Sequence, residues 1–142
     1  MSEEVANFEH YSYAKKSAVL NSKSISILGF GFDGTVCFRK GAAKGPKAFR
    51  EIAEGIESYS PYLDMDLENR NDFYDLGDIA LPMSDNVDKD FLEGLENFNC
   101  LIRNKNFKEE NIRLITLGGE NSISIAPIKK YLSDIDNLVL IH

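Results

Sequence analysis

The chain has 142 residues and a formal net charge of −7, from 16 basic and 23 acidic side chains. Apolar residues make up 43% of it and charged residues 27%, a balance typical of one globular domain. No apolar run reaches the roughly 18 residues of a membrane-spanning helix, and the first residues do not resemble a secretory signal. The acidic balance argues against nucleic acid or an anionic membrane as a partner.

The two cysteines indicate a reducing compartment. Cys37 and Cys100 stand far apart and form no Cys-x-x-Cys pair, which argues against a disulfide framework or a thiolate zinc site. We therefore expect a cytoplasmic protein in which both are ordinary small apolar side chains.

The acidic surplus is concentrated between residues 57 and 78, where seven acids stand against one base, Arg70. The spacing of Asp64, Asp66 and Glu68 is similar to that of a calcium loop. However, Asn69 stands where such a loop needs glycine and Asp75 where it needs glutamate. A solvated acidic loop is the favoured interpretation.

Hydrophobic periodicity predicts alternating strands and helices. A glycine-rich loop at residues 31–45 separates the first strand from a helix that begins at Pro46, a residue suited to a first helical turn. The predicted long helix carries Phe91, Leu95, Phe98 and Ile102 on one face, and Ile125, Ile128 and Leu132 are expected to point inward from the last helix. Strands are predicted at residues 24–30, 72–79, 113–117 and 138–142, and helices at 46–55, 87–106 and 122 or 124–132.

This alternation predicts an α/β fold with a mainly parallel sheet. Residues 1–22 lack a sustained period and are interpreted as an N-terminal arm with one short helix. The chain stops on its last predicted strand, whereas a parallel strand normally leads into a covering helix. We therefore expect residues 23–142 to be about the N-terminal half of a single domain.

The loop after the first strand allows three interpretations. Gly29-x-Gly31-x-x-Gly34 has the form of a dinucleotide fingerprint, but Gly41 and Gly45 prevent the prompt helix that this motif requires. Phe32-Asp33-Gly34-Thr35-Val36 is similar to the haloacid-dehalogenase phosphatase motif, but Gly31 occupies the position of its nucleophilic aspartate.

The third interpretation takes the loop as a whole. Gly29-Phe-Gly-Phe-Asp33-Gly34, then Arg39-Lys-Gly41-Ala42, then Gly45-Pro46-Lys-Ala48-Phe49-Arg50 resemble the N-terminal signature of the ureohydrolases, the family of agmatinase and arginase. Gly31 departs from it, since that family usually has proline there. The glycines permit close backbone turns, and Arg50 can reach carboxylates or carbonyls across the loop. Loop shaping is the favoured role of these residues.

Three further segments resemble the same family. They are Tyr74-Asp75-Leu76-Gly77-Asp78, Leu117-Gly118-Gly119-Glu120-Asn121-Ser122-Ile123-Ser124, and Val139-Leu140-Ile141-His142, which resembles the strand before the family's Phe-Asp-Ala-His-x-Asp motif. The chain is identified as the N-terminal half of a ureohydrolase-like protein. Within that family it resembles the agmatinases most. The resemblance implies a three-layer α-β-α fold.

The resemblance also implies a chemistry. Members of this family use two Mn²⁺ ions per chain to hydrolyse a guanidino or linear amidine C–N bond with release of urea, here agmatine to putrescine. It implies a small guanidino substrate and, for the full-length protein, a homo-oligomer, either a trimer or a hexamer. The chain itself is expected to be inactive because the family's other ligands would lie beyond residue 142.

Asn121 is the main departure from the family's metal loop. It stands where the family has its first histidine ligand, and an amide oxygen is a weaker donor than imidazole for a transition metal. Two roles remain open: Asn121 as a metal ligand, or Asn121 as a helix N-cap. A non-enzymatic alternative follows, in which a metal-poor homologue serves as an assembly or binding subunit.

Three neighbouring candidates are expected to play supporting roles. Glu120 is interpreted as a hydrogen-bond partner of the metal's ligands, or equally as an exposed acid or a capping-box acid. His142 is expected near the metals without binding them, and His10 is expected to be solvated.

Overall fold

The computed structural model describes residues 10–141, and its centre is a four-stranded sheet in the order β1-β5-β2-β6, with every pairing parallel. This confirms the α/β fold with a parallel sheet. The strands are β1 (Lys15–Lys16), β2 (Ile25–Phe30), β3 (Tyr59–Ser60), β4 (Met65–Asp66), β5 (Phe73–Asp78) and β6 (Arg113–Gly118). The helices are α1 (Gly45–Ala53), α2 (Val87–Ile102) and α3 (Ile125–Asp134). None of these helices is both long and apolar enough to cross a membrane.

The central strand β2 separates two hydrophobic clusters. Leu28 and Phe30 point to the face covered by α2 and α3, whereas Ile27 points to the opposite face, where Ala53 of α1 packs. Successive side chains of a strand point to opposite faces, so a strand buried on both faces is apolar throughout. Helices therefore cover the sheet on both sides, which gives the three-layer arrangement.

Helix α2 presents the predicted face to the core. Phe98 and Ile102 are buried, and Phe91 and Leu95 pack against the same cluster. The side chain of Asn86 caps the helix by accepting a hydrogen bond from the backbone N–H of Lys89. The helix ends at Ile102, four residues earlier than predicted.

Helix α3 begins late, as Pro127 requires, but its buried face differs from the prediction. Its buried residue is Ala126, while Ile125 and Leu132 are 41% and 59% exposed. The segment Asn121–Ser124 before it is a 3₁₀ turn. Because such a turn has about three residues per turn, it shifts the phase of the positions that follow.

The N-terminal arm contains a strand where a short helix was predicted. Within residues 10–22 the structure has β1 and turns but no helix, and residues 1–9 lie outside the described part of the chain. Tyr11, Ala14 and Leu20 are nevertheless buried. Tyr11 and Ala14 pack with Phe73 of β5, whereas Leu20 packs in the cluster on the opposite face of the sheet. This segment therefore belongs to the core. The proposed boundary at residue 22 stays a prediction.

Residues 138–141 do not form the predicted fourth strand. Val139, Leu140 and Ile141 are 80%, 62% and 91% exposed. An apolar run becomes a strand only when a neighbouring strand accepts its hydrogen bonds, and these residues pair with no strand of the described structure. His142 lies outside the described residues.

The acidic segment forms a small hairpin of β3 and β4, and its carboxylates have separate partners. Asp64 accepts a hydrogen bond from the Tyr59 hydroxyl, and Asp66 accepts one from the Glu68 backbone. Asp72 pairs with Arg70 at 2.6 Å. These side chains therefore do not converge on a common point in the way a calcium loop requires.

Candidate functional site

Two loops meet at the carboxyl ends of the adjacent parallel strands β2 and β6. We call residues 31–44 the β2 loop and residues 119–124 the β6 loop. The backbone N–H of Glu120 donates to the carbonyl of Phe32 at 3.0 Å. A Cβ at Gly119 would lie 2.1 Å from that same carbonyl oxygen. Only glycine permits this close approach of the two backbones, which explains the glycine at position 119.

Asp33 closes the base of the β2 loop. Its carboxylate accepts a hydrogen bond from the backbone N–H of Gly41 at 2.6 Å. That bond holds the pKa of Asp33 below its ordinary value. Gly41 has φ of +133°, a conformation that side chains other than glycine's rarely adopt. The loop then leads into α1, which begins at Gly45, so the sequence Gly29-x-Gly31-x-x-Gly34 does not open a helix as a dinucleotide fingerprint would.

Glu120 joins the two loops through its side chain. One carboxylate oxygen accepts from the Thr35 backbone N–H at 3.1 Å. The other accepts from the Thr35 hydroxyl at 2.5 Å and from the Ser122 hydroxyl at 2.6 Å. Glu120 therefore bonds to the loops themselves. This differs from the predicted capping role, since the 3₁₀ turn that follows has no side-chain cap.

Asn121 is the first residue of that 3₁₀ turn, and its side chain is exposed. No side-chain cap is formed at the start of the 3₁₀ turn or of α3. The amide of Asn121 has no hydrogen-bond partner among residues 10–141, so the capping interpretation is wrong. Its role as a metal ligand stays a prediction.

Asn121 borders an open cleft of about 520 Å³ between the two loops. One wall comes from the β2 loop and the other from the β6 loop. The residues that matter below are Thr35, Cys37, Phe38 and Arg39 on one side and Glu120 and Asn121 on the other. Ligands of open α/β sheets bind beyond the carboxyl ends of the strands, which is where this cleft lies.

Beneath the β2 loop, Arg50 of α1 is bound by the acids of β5. Its guanidinium donates to both oxygens of Asp75 at 2.7 and 2.8 Å and to Asp78 at 2.6 Å. Arg50 is 3% exposed and Asp75 is fully buried. Burial alone would lower the pKa of Arg50, but the hydrogen bonds to Asp75 and Asp78 outweigh it and raise that pKa.

The predicted reach of Arg50 to carboxylates is thus confirmed, although its partners lie on β5. Asp75 also accepts from the backbone N–H groups of Tyr11 and Gly77, at 2.8 and 2.9 Å. Sequence reasoning missed Asp75 as this buried acceptor. The available signal was an Asp-x-Gly-Asp that ends an otherwise apolar strand.

A second cleft of about 540 Å³ lies on the other side of the β2 loop. Its charged residues are Asp33, Lys40, Lys44 and Asp78, and its apolar floor includes Ile79, Leu81 and Met83. Acids and bases balance there, so the cleft has no marked preference for a cation or an anion.

The remaining candidates lie away from one another. His10 is half-buried, which corrects the expectation that it is solvated. Cys37 and Cys100 are both free and exposed, so neither packs in the core as a small apolar side chain. Within the described residues, no three His, Cys, Asp or Glu side chains come together as a metal site. These residues do not by themselves fit a two-metal centre.

A parallel sheet that carries glycine-rich loops to a cleft at its carboxyl edge defines an α/β protein whose ligand site lies at that edge. The sequence profile of the Arginase family matches residues 23–142, and the chain belongs to this family. An agmatinase from Bacillus subtilis (strain 168) is 35% identical over 117 residues, which are 82% of this chain and 37% of that protein.

Solved structures show the same fold. The agmatine ureohydrolase of Thermoplasma volcanium matches with a TM-score of 0.68 at 22% identity, over 93% of this chain and 41% of that one. Formimidoylglutamase from Bacillus subtilis subsp. subtilis str. 168 also matches with a TM-score of 0.68, at 21% identity, over 94% of this chain and 42% of its own. The chain therefore spans about two fifths of the length of these relatives.

Proposed function

We propose that the complete protein is an agmatinase-type ureohydrolase, which hydrolyses a guanidino C–N bond of agmatine and releases urea and putrescine. The chain's membership of the Arginase family and its 35% identity to an agmatinase support this choice of substrate. The structural observation that carries it is the cleft at Asn121. Two loops are joined there by backbone and side-chain hydrogen bonds, and they leave one amide exposed without a partner.

The proposal includes manganese as the cofactor, with Asn121 as one donor. When bound, a pair of such ions supplies a hydroxide at neutral pH. The described residues hold no metal cluster of their own, so further ligands would have to come from elsewhere in the complete protein or a partner copy. The contribution of this chain is to hold the cleft open and keep the Asn121 amide free of internal hydrogen bonds.

A second candidate is favoured by the same residue. An asparagine in place of histidine weakens any transition-metal site, and a homologue that has lost its metals could serve as an assembly or binding subunit. A homo-oligomer, either a trimer or a hexamer, is proposed for both candidates, and the cytoplasm is the proposed location.

Urea release distinguishes the two candidates. The complete product of the reading frame and the 142-residue chain are purified and incubated with agmatine or arginine in the presence of Mn²⁺. The enzyme proposal predicts urea and putrescine from agmatine, less urea from arginine, and none from the 142-residue chain. No urea from either substrate would overturn it and favour the subunit. Urea release by the 142-residue chain would contradict its proposed inactivity.

The metal role of Asn121 is tested by Asn121→His, with Asn99→His as the control. Asn99 is also an exposed asparagine, but it lies on α2, away from the cleft. If Asn121 is a ligand, the first variant binds Mn²⁺ more tightly than the wild type, because imidazole is a better donor than an amide. Equal Mn²⁺ affinity in both variants and the wild type would contradict the ligand role.

A further inference from the structure

The side chain of Glu120 forms the main attachment of an otherwise loose segment. Its carboxylate accepts the Thr35 backbone N–H and the Thr35 hydroxyl, and it also accepts the Ser122 hydroxyl. A carboxylate that accepts three hydrogen bonds from two loops holds both of them in one geometry. The bonds to Thr35 span 85 positions of sequence, and they add to the backbone bond between Glu120 and Phe32 that already joins the two loops at their base.

The segment held by Thr35 comprises residues 35–39, and we call it the cleft flap. Cys37, Phe38 and Arg39 are exposed, with Phe38 at 87%. We find no hydrogen bond from residues 36–40 to any other described residue. Within the cleft flap, the Arg39 guanidinium lies 5.0 Å from the centre of the Phe38 ring.

Two attachments therefore define where the cleft flap lies. At its far end Asp33 binds the backbone of Gly41, which closes the loop at its base. At its near end Glu120 binds Thr35. Without the second attachment, the segment between would be held only at the loop base, and exposed segments with few contacts open at low free-energy cost.

We propose that Glu120 is a positioning residue, whose carboxylate docks the cleft flap onto the β6 loop and so sets the width of the cleft that Asn121 borders. The proposal rests on the proposed function for its catalytic consequence, because that cleft is where the substrate would enter. The structural part of the proposal does not depend on the proposed function, because the docking is a property of these two loops.

A nitroxide spin label on Cys37 measures the docking without any activity. Cys37 is exposed and lies on the cleft flap, and the second exposed cysteine is removed by Cys100→Ser. With the label on Cys37 in the Cys100→Ser variant, we expect a spectrum that contains an immobilised component. Glu120→Ala removes the carboxylate that accepts from Thr35 and Ser122, so we expect the immobilised component to be lost.

Variants of Thr35 test the same bonds from the other side. Thr35→Val keeps the shape but removes the hydroxyl donor, and it is expected to reduce the immobilised component. Thr35→Ser retains the hydroxyl and is expected to preserve it. A label on Cys100 in a Cys37→Ser background is the control, because Cys100 lies on α2 and its spectrum should not respond to Glu120→Ala.

The outcomes separate docking from function. An immobilised component that survives both Glu120→Ala and Thr35→Val overturns the positioning role, whatever the activity. So does an equal loosening at Cys100, which would mean that the whole fold has been loosened. If the docking result holds and the complete protein releases urea, Glu120→Ala should lower kcat/KM for agmatine, and Thr35→Ser should restore it relative to Thr35→Val. If the complete protein releases none, the proposed function fails and the docking stands.

Discussion

Replacing Arg50 by methionine is expected to be among the most destabilising single changes in this chain. Methionine has a similar length and would fill much of the same space, so the change removes mainly the charge and its hydrogen bonds. Asp75, which is fully buried, would lose two of its four hydrogen bonds. A buried carboxylate left without its cation is far from water and cannot be solvated.

The magnitude follows from which partners are buried. Removal of one member of a buried pair costs about 3–5 kcal/mol. The bond to Asp78 adds little, since that side chain is 47% exposed and water can replace the lost partner. Because the free energy of unfolding of a domain is typically about 5–15 kcal/mol, Arg50→Met would remove a large part of it.

Urea denaturation of the 142-residue chain, followed by circular dichroism, measures this cost. Lys47→Met is the matched control, because Lys47 is on the same helix but its side chain is 62% exposed and pairs with Glu51 at 3.5 Å. We expect that control to cost less than about 0.5 kcal/mol. Arg50→Lys should fall between the two, since an ammonium keeps the charge but cannot bind both oxygens of Asp75 at once.

A double-mutant cycle identifies the interaction itself. Arg50→Met combined with Asp75→Asn should be less destabilising than the sum of the single changes, by about 1–3 kcal/mol, because the buried charge is removed together with its partner. The reasoning is refuted if Arg50→Met costs no more than Lys47→Met, or if the double variant is additive.

Two further predictions concern stability. Gly119→Ala places a Cβ 2.1 Å from the Phe32 carbonyl oxygen, and we expect it to lower the free energy of unfolding by about 1–3 kcal/mol, measured by thermal unfolding. The control is Gly55→Ala, whose Cβ would lie 3.7 Å from its nearest neighbour and should change stability by less than about 1 kcal/mol. Equal melting temperatures for the two variants would contradict the close approach. Burial alone would raise the pKa of Asp134, but hydrogen bonds from the Phe107 N–H and the Lys130 ammonium outweigh it, and the pKa lies below its ordinary value of 3.8. The ionised Asp134 carboxylate therefore stabilises the folded state above pH 3.8, and this stabilisation is lost as the pH falls through the lower pKa of the folded state. The difference in unfolding free energy between wild type and Asp134→Asn should shrink from pH 6 to pH 3. A constant difference would refute this.

The sequence predicted those parts of the fold that depend on local pattern. Strand β2 is mostly apolar because both of its faces are buried, and α2 repeats its apolar residues with the helical period. Pro46 and Pro127 located the starts of α1 and α3, since proline lacks the N–H that an interior helical position needs. Each of these signals is carried by the segment itself.

The errors concern contacts between distant segments. Tyr11 and Ala14 are core residues only because β5 lies beside them. Residues 138–141 have the composition of a strand, but strand formation depends on a partner that the pattern does not contain. The buried role of Asp75 depends on Arg50, which lies 25 positions away.

The candidate site was predictable in its location and less so in its bonding. The Gly118-Gly119-Glu120-Asn121 motif indicated the β6 loop through its resemblance to the metal loop of the ureohydrolases. The sequence could not predict that the side chain of Glu120 bridges the two loops, because its hydrogen bonds run to Thr35, which lies on the other loop. Asn121 is left without a partner for the same reason.

The manganese content of the complete protein tests the central proposal most directly. Elemental analysis after purification in the presence of Mn²⁺, followed by exhaustive dialysis, gives the number of ions per chain. We expect about two ions per chain, as in a two-metal hydrolase, and a lower value after Asn121→Ala but not after Asn99→Ala. A complete protein that retains no manganese would contradict the enzyme proposal and favour the assembly subunit.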